Sequence, residues 1–174
     1  MYDFFRKIIA YLTDNNIPYM LSGSVAMSVY VVPRATRDFD FIIHLLPKDI
    51  EAFAAYFKEG YYCDIDAIRD AVNNKGMFNI IDHTSGFKAD FVILKSQEFR
   101  QVEFNRRKQS EFLDMDVSIV SVEDLLLSKL IWIQDLQSGL QIEDIKTLKT
   151  IENLEWDYIN EWVKKLELNT FNLF

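Results

Sequence analysis

Between Met20 and Leu45 the chain reads MLSGSVAMSVYVVPRATRDFDFIIHL, and the order of its parts constrains the fold more than any other feature. A short apolar run stops at Gly23-Ser24, a small amphipathic segment follows, and Pro33 turns the chain. Asp38-Phe39-Asp40 then leads straight into an apolar strand. Side chains alternate across an extended chain, so Asp38 and Asp40 share one face while Phe39 and Phe41 point into a core. Two neighbouring carboxylates repel each other unless a cation lies between them. A divalent metal ion is the economical explanation.

The rest of the chain supplies the elements to carry that strand. Phe4, Phe5, Ile8, Ile9 and Leu12 make the apolar stripe of a helix from Tyr2 to Asn15, with Asp3 placed to cap it. Tyr19 to Leu21 predicts a short strand, and Ser22-Gly23-Ser24 turns into a helix carrying Val25, Ala26, Val29 and Tyr30. The strand after Asp38 reaches Leu46, and Pro47 opens a helix through Phe57. Gly60 to Gly76 reads as another helix with flanking turns, the helix itself running from Asp64 or Asp66 to Asn73. Phe78 to Ile81 and Phe87 to Leu94 read as antiparallel strands joined through His83-Thr84-Ser85-Gly86. An exposed helix follows from Ser96 to Arg107, with Phe99 and Val102 as its core contacts. A hairpin then pairs Glu111-Phe112-Leu113 with Val117 to Val120 around Asp114-Met115-Asp116.

From Ser121 the chain changes character. Ser121 followed by Asp124 is a helix-start signal before the apolar segment Leu125 to Leu136. Further helices run from Gln141 to Asn153 and from Glu155 or Trp156 to Leu166. The expected fold class is α+β, a short mixed sheet flanked by helices. Residues 1–120 form the core, and 121–174 form a helical part docked on it as one compact unit.

Composition bears on location and partners. The longest apolar runs fall short of the roughly 20 residues that span a membrane, the first residues lack the pattern of a secretory signal, and Cys63 is the single cysteine. These features predict a cytoplasmic protein with no membrane partner. A formal net charge of -8 disfavours broad nucleic-acid binding by the whole surface. The basic residues are clustered, however, with Arg34 and Arg37 beside the acidic pair and Arg100, Arg106, Arg107 and Lys108 later. The later cluster reads as a solvated helix face.

Gly23-Ser24, a gap, Asp38-Phe39-Asp40 and a distant Asp90 in F-K-A-D-F-V-I-L resemble the nucleotidyltransferases of the DNA polymerase β superfamily. P-R-A-T-R-D-F-D, L-L-L-S-K-L-I-W with Lys129, and Q-I-E-D-I with Asp144 resemble its small bacterial members, including abortive-infection toxin-type enzymes. The resemblance implies a Mg²⁺-dependent transfer of a nucleoside monophosphate from an NTP, such as ATP, to an acceptor. That acceptor is an RNA 3′ end such as that of tRNA, a protein hydroxyl or a small molecule. It also implies a toxin-like or defence role with a possible cognate antitoxin. Asp38, Asp40 and Asp90 would hold two Mg²⁺ ions, with Mn²⁺ as a substitute. Lys129 would face the nucleotide, and Asp144 would organise the C-terminal wall of the site. Tyr30-Val31-Val32 departs from relatives that carry a glycine before the Pro-Arg turn, which alters the mouth of the site and removes no ligand.

The residues support these roles independently. Nucleotidyl transfer builds negative charge on the attacking and leaving oxygens, and carboxylate-bound Mg²⁺ neutralises it. Lys88 and Asp90 are two apart on a strand and share a face. Gly23 and Ser24 stand where a strand gives way to a helix, so N–H groups there make a phosphate cradle. Arg34 and Arg37 are placed to meet a triphosphate from the other side. Asp64-Ile65-Asp66 reads instead as a helix cap and Asp114-Met115-Asp116 as a turn. His44, His83 and Cys63 lack zinc spacing, and Trp132, Trp156 and Trp162 read as core. Lys129 is either a snorkelling surface lysine or functional. Asp-x-Asp also serves phosphatases and glycosyltransferases, but there the apolar strand precedes the acids and here it follows. The alternative from another class is a catalytically idle nucleotide-binding or protein-interaction module.

Overall fold

Period-two alternation on the central strands decides the layering. The structure, a computed structural model, describes residues 1–32 and 36–174. Arg34 lies outside the described residues, and so does the expectation placed on it. In β2 (Asp38–Ile43), Phe39, Phe41 and Ile43 are buried on one face of the sheet, and Asp38, Asp40 and Ile42 take the other.

The strands form one mixed sheet in the order β3-β4-β5-β2-β1-β7-β6. Its members are β1 (Tyr19–Ser22), β3 (Tyr61–Cys63), β4 (Met77–Asp82), β5 (Lys88–Ile93), β6 (Lys108–Phe112) and β7 (Met115–Ile119). β2 runs antiparallel to β1 and parallel to β5, at the centre of the sheet.

One face carries α1 (Tyr2–Asp14), α3 (Ile50–Tyr56) and α4 (Ile65–Asn74). Phe4, Phe5, Ile8, Phe53 and Phe57 from these helices meet Phe39, Phe41 and Phe91 in one buried cluster. Its rings pack in offset and edge-on pairs, such as Phe41 on Phe91 at 5.3 Å and Phe53 on Phe91 at 5.5 Å. The opposite face carries α2 (Gly23–Tyr30), α5 (Glu98–Asn105), α6 (Val122–Asp135) and α8 (Trp156–Lys165). Met20, Ala26, Leu125, Leu126, Phe99 and Trp162 form the second cluster there. Ile145 of α7 (Gly139–Leu148) packs with Leu130 and Ile133 of α6 in a third. The acidic face of β2 is therefore the one that the C-terminal helices cover.

Several local expectations change. Tyr61–Cys63 is a strand on β4, in place of a turn flanking the next helix, because three residues are too few for alternation to show. Asp64 caps α4, accepting from the Asp66 N–H at 2.9 Å. The hairpin turn is Leu113-Asp114, both at positive φ (51° and 58°), so Met115 and Asp116 belong to β7. α1 starts without a side-chain cap, and Asp3 sits in its first turn, where a carboxylate complements the helix dipole. α7 stops at Leu148, short of Asn153.

The basic cluster is largely turned inward. Arg100 Nη1 donates to Glu103 at 2.9 Å and to Ser128 Oγ at 2.6 Å. Arg106 donates to Asp124 at 3.2 Å and stacks over Tyr158 at 4.0 Å. These two cations tie α5 to α6 and α8, which neither a solvated face nor a nucleic-acid grip describes. Apart from Glu103, three positions from Arg100, their partners lie 18 to 52 positions away in the chain, beyond the reach of local patterning. No helix among the described residues is long and apolar enough to cross a membrane.

Candidate active site

Parallel pairing of β2 with β5 sets Asp38 opposite Lys88 and Asp40 opposite Asp90. All four side chains start from one face of the sheet, and the acids converge from separate parts of the chain. Lys88 Nζ stands 2.7 Å from Asp90 Oδ2 and 3.8 Å from Asp38 Oδ1. Its bond to Asp90 raises the ammonium pKa above the ordinary lysine value, so Lys88 is charged at neutral pH. Asp38 is half exposed at the rim, whereas Asp90 is almost buried.

Asp40 is held above the usual carboxylate range, first by burial and then by Asp90 and Asp38, with Lys129 and Lys88 opposing. The sign follows from linkage. The folded chain holds this proton more tightly than the unfolded chain, so Asp40 favours folding when protonated. That contribution is lost as pH rises from the ordinary carboxylate value through the raised one.

Gly23 closes the other side. Ser22 pairs with Asp40 across β1 and β2, so the strand-to-helix turn lies against that carboxylate. Gly23 has φ +62°, and a Cβ built on it would stand 1.9 Å from Asp40 Oδ2. Only glycine fits. Ser24 follows in the first turn of α2, where helix N–H groups lack intrahelical acceptors and are suited to an anion.

These groups open on a cavity of about 370 Å³ between the sheet and α6. Ser22, Gly23, Ser24, Asp40 and Asp90 form one end of it, and Ile42, Val92, Leu125 and Trp132 supply much of the wall. Lys129 also lines it but does not snorkel: it is 5% exposed, with Nζ 2.7 Å from Asp144 Oδ2 and 3.0 Å from Gln141 Oε1. Asp144 is buried with it. Arg37 is exposed on the approach to β2, and its carbonyl accepts the Lys88 N–H at 3.1 Å. The reading of Trp132 as core is corrected, since it is 50% exposed and forms part of the wall. Trp132 lies three positions after Lys129 on α6, a spacing that places both on one helix face and was available as a signal. Arg100 and Gln141 had no such signal, because α5 and α7 bring them in from elsewhere.

Solved structures share this architecture. The antibiotic-resistance factor ANT(2″)-Ia superposes with a TM-score of 0.66 at 14% identity, over 95% of this chain and 90% of that one. The lincosamide antibiotic adenylyltransferase LnuA, bound to lincomycin, gives 0.55 at 16% identity over 83% and 93%. The chain shares the fold of these two proteins, a mixed sheet flanked by helices. A second structure of ANT(2″)-Ia, in complex with adenylyl-2″-tobramycin, shares the same fold (TM-score 0.60, 12% identity, 95% and 96% covered). No protein-family model and no curated protein matches the sequence.

The sequence resemblance implies a divalent metal at these carboxylates. Among the described residues no three acidic, thiol or imidazole side chains already surround one point closely enough to hold an ion. Lys88 instead supplies positive charge between Asp38 and Asp90. The donor set nevertheless fits. Among the described residues Asp90 Oδ1 is buried with no hydrogen-bond partner, the carboxylates are the hard oxygen ligands Mg²⁺ prefers, and Asp90 and Asp38 add to burial in raising Asp40.

Proposed function

We propose that the chain transfers a nucleoside monophosphate from a nucleoside triphosphate to an acceptor hydroxyl, releasing pyrophosphate. The observation that carries this reading is the pairing of Asp40 with Asp90 beside a glycine turn that admits no side chain. The named neighbours add support: LnuA is an adenylyltransferase, and ANT(2″)-Ia was captured with an adenylylated antibiotic.

Asp38, Asp40 and Asp90 would hold Mg²⁺ ions, with Mn²⁺ as a substitute. When bound, these ions neutralise charge on the reacting phosphate and make the acceptor hydroxyl more acidic. The first-turn N–H groups of α2 bind and orient the phosphates, and Gly23 keeps the approach clear. The acceptor oxygen bonds to the α-phosphorus as the bond to the pyrophosphate oxygen breaks, and Asp90 takes up the hydroxyl proton. Trp132, Ile42 and Val92 shield the acceptor side from water. Lys129 brings a charge that Asp144 holds in place.

Each labelled NTP, incubated in turn with Mg²⁺ and with total RNA, total protein or a small-molecule extract, tests this. Label is expected in one acceptor fraction, with release of pyrophosphate, and Asp38→Ala abolishes it. Bound nucleotide with no transfer to any fraction would establish the idle module instead.

Lys88→Met should raise affinity for Mg²⁺ in calorimetry by about tenfold, because it removes a unit charge from between the ligands. Unchanged metal affinity with weakened NTP binding would show that Lys88 serves the phosphates alone.

A further inference from the structure

A second hollow, of about 360 Å³, lies at the far end of the same strands. His44, Lys75 and Arg107 line it together with Ser96, Gln101 and Asn105, and its described lining contains no carboxylate. That is against the grain of a chain with 27 acidic and 19 basic residues. Clustering two full cations, a histidine and three neutral donors without an acid creates a local positive potential within a negative molecule.

The cations are arranged for use. Arg107 donates one N–H group, from Nη1, to the Phe104 carbonyl at 2.6 Å and stacks over the Phe104 ring at 4.3 Å. That contact fixes the guanidinium plane while its other N–H groups make no hydrogen bond to the described residues. Such a preset fork suits phosphate oxygens. Lys75 takes the left-handed cap of α4 at φ +54°, a position that glycine usually fills, although Gly76 follows immediately.

Leu94 forms a wall of both this hollow and the active-site cavity, and Lys95 and Ser96 carry the chain from one to the other. Four residues of extended chain separate Asp40 from His44, about 13 Å. The glycine turn that would hold the donor phosphates is at the Asp40 end.

We propose that this hollow binds a phosphate group, and that the phosphate belongs to the acceptor. The second half rests on nucleotidyl transfer as read above; the first does not. The acceptor is then a phosphorylated molecule whose hydroxyl reaches Asp90 while its phosphate is held by Arg107 and Lys75.

Amide NMR of the full chain, titrated with inorganic phosphate, tests the site. Saturable shifts are expected at His44, Lys75 and Arg107, in wild type and in Asp38→Ala alike. Arg107→Gln and Lys75→Gly should each weaken them, by up to about tenfold for a lost unit charge. Lys75→Gly relieves the left-handed backbone, so misfolding cannot explain its loss. Absence of saturable shifts in the hollow, or shifts confined to Gly23 and Ser24, overturns the proposal.

A 5′-phosphorylated diribonucleotide and a longer 5′-phosphorylated oligoribonucleotide, each offered as acceptor beside its dephosphorylated form, separate small from polymeric sources. The phosphorylated member of one pair should accept label with a lower KM. Arg107→Gln should raise that KM several-fold and leave the KM for NTP unchanged. Equal use of phosphorylated and dephosphorylated members, or a change confined to the KM for NTP, removes the acceptor assignment. No transfer by any form, with phosphate still bound in the hollow, would defeat nucleotidyl transfer and leave the site standing.

Discussion

Gly23→Ala is expected to cut nucleotidyl transfer by about 10²-fold or more, the scale associated with displacing a catalytic group by roughly an ångström. A methyl group on Gly23 would fall 1.9 Å from Asp40 Oδ2 and 2.5 Å from its Cγ, so the Asp40 side chain or the turn must move. Either movement separates the phosphate cradle from the carboxylates. Alanine is also strained at φ +62°, and folding stability should fall by about 1–3 kcal/mol. Urea denaturation and a transfer assay on the same preparation separate the two effects. A fully folded Gly23→Ala protein with wild-type transfer would contradict the close packing of turn and carboxylate. Gly60→Ala is the control: it is also at positive φ, but a Cβ there meets nothing within 4 Å, so it carries strain without the clash.

Asp144→Ala should cost about 3–5 kcal/mol at neutral pH by leaving the Lys129 ammonium buried without its charge partner. Lys129 is 5% exposed and Asp144 is 3% exposed, so water cannot readily replace what is lost. The double change Lys129→Met with Asp144→Leu replaces the pair by apolar groups and should recover most of that stability. Transfer should not recover with it. Lys129 is a positive charge opposing the raised carboxyl of Asp40, and removing it leaves the acidic pocket less compensated. Recovery of both stability and activity would reduce the pair to packing. The contrast keeps the role of Lys129 in the site distinct from its role in the fold.

Asp38, Asp40 and the turn facing them were legible because their signals are local. Asp38 and Asp40 share a face through strand alternation alone, and Gly23-Ser24 marks a strand giving way to a helix. Capping chemistry placed Asp64 and Ser121 equally well, since each bonds within three residues of itself. Signals depending on distant partners were not legible. Arg100 and Arg106 read as a solvated face until α6 and α8 supplied Ser128, Asp124 and Tyr158. Trp132 read as core because aromatic residues at helical spacing usually are, and only the gap between α6 and the sheet leaves it open. β3 was missed because three residues show no period and its strand character comes from pairing with β4.

By itself the sequence determined the polar and apolar faces of β2, the glycine bend and the run of helices after Ser121, since side-chain periodicity and backbone sterics act over a few residues. Tertiary structure alone decided that Asp90 meets Asp40, that Lys88 stands between two carboxylates, and that Lys129 is buried against Asp144. Those outcomes depend on which strands become neighbours and in what register. Parallel pairing of β2 with β5, across nearly fifty positions of chain, is settled by burying the aromatic face of the sheet under α1, α3 and α4.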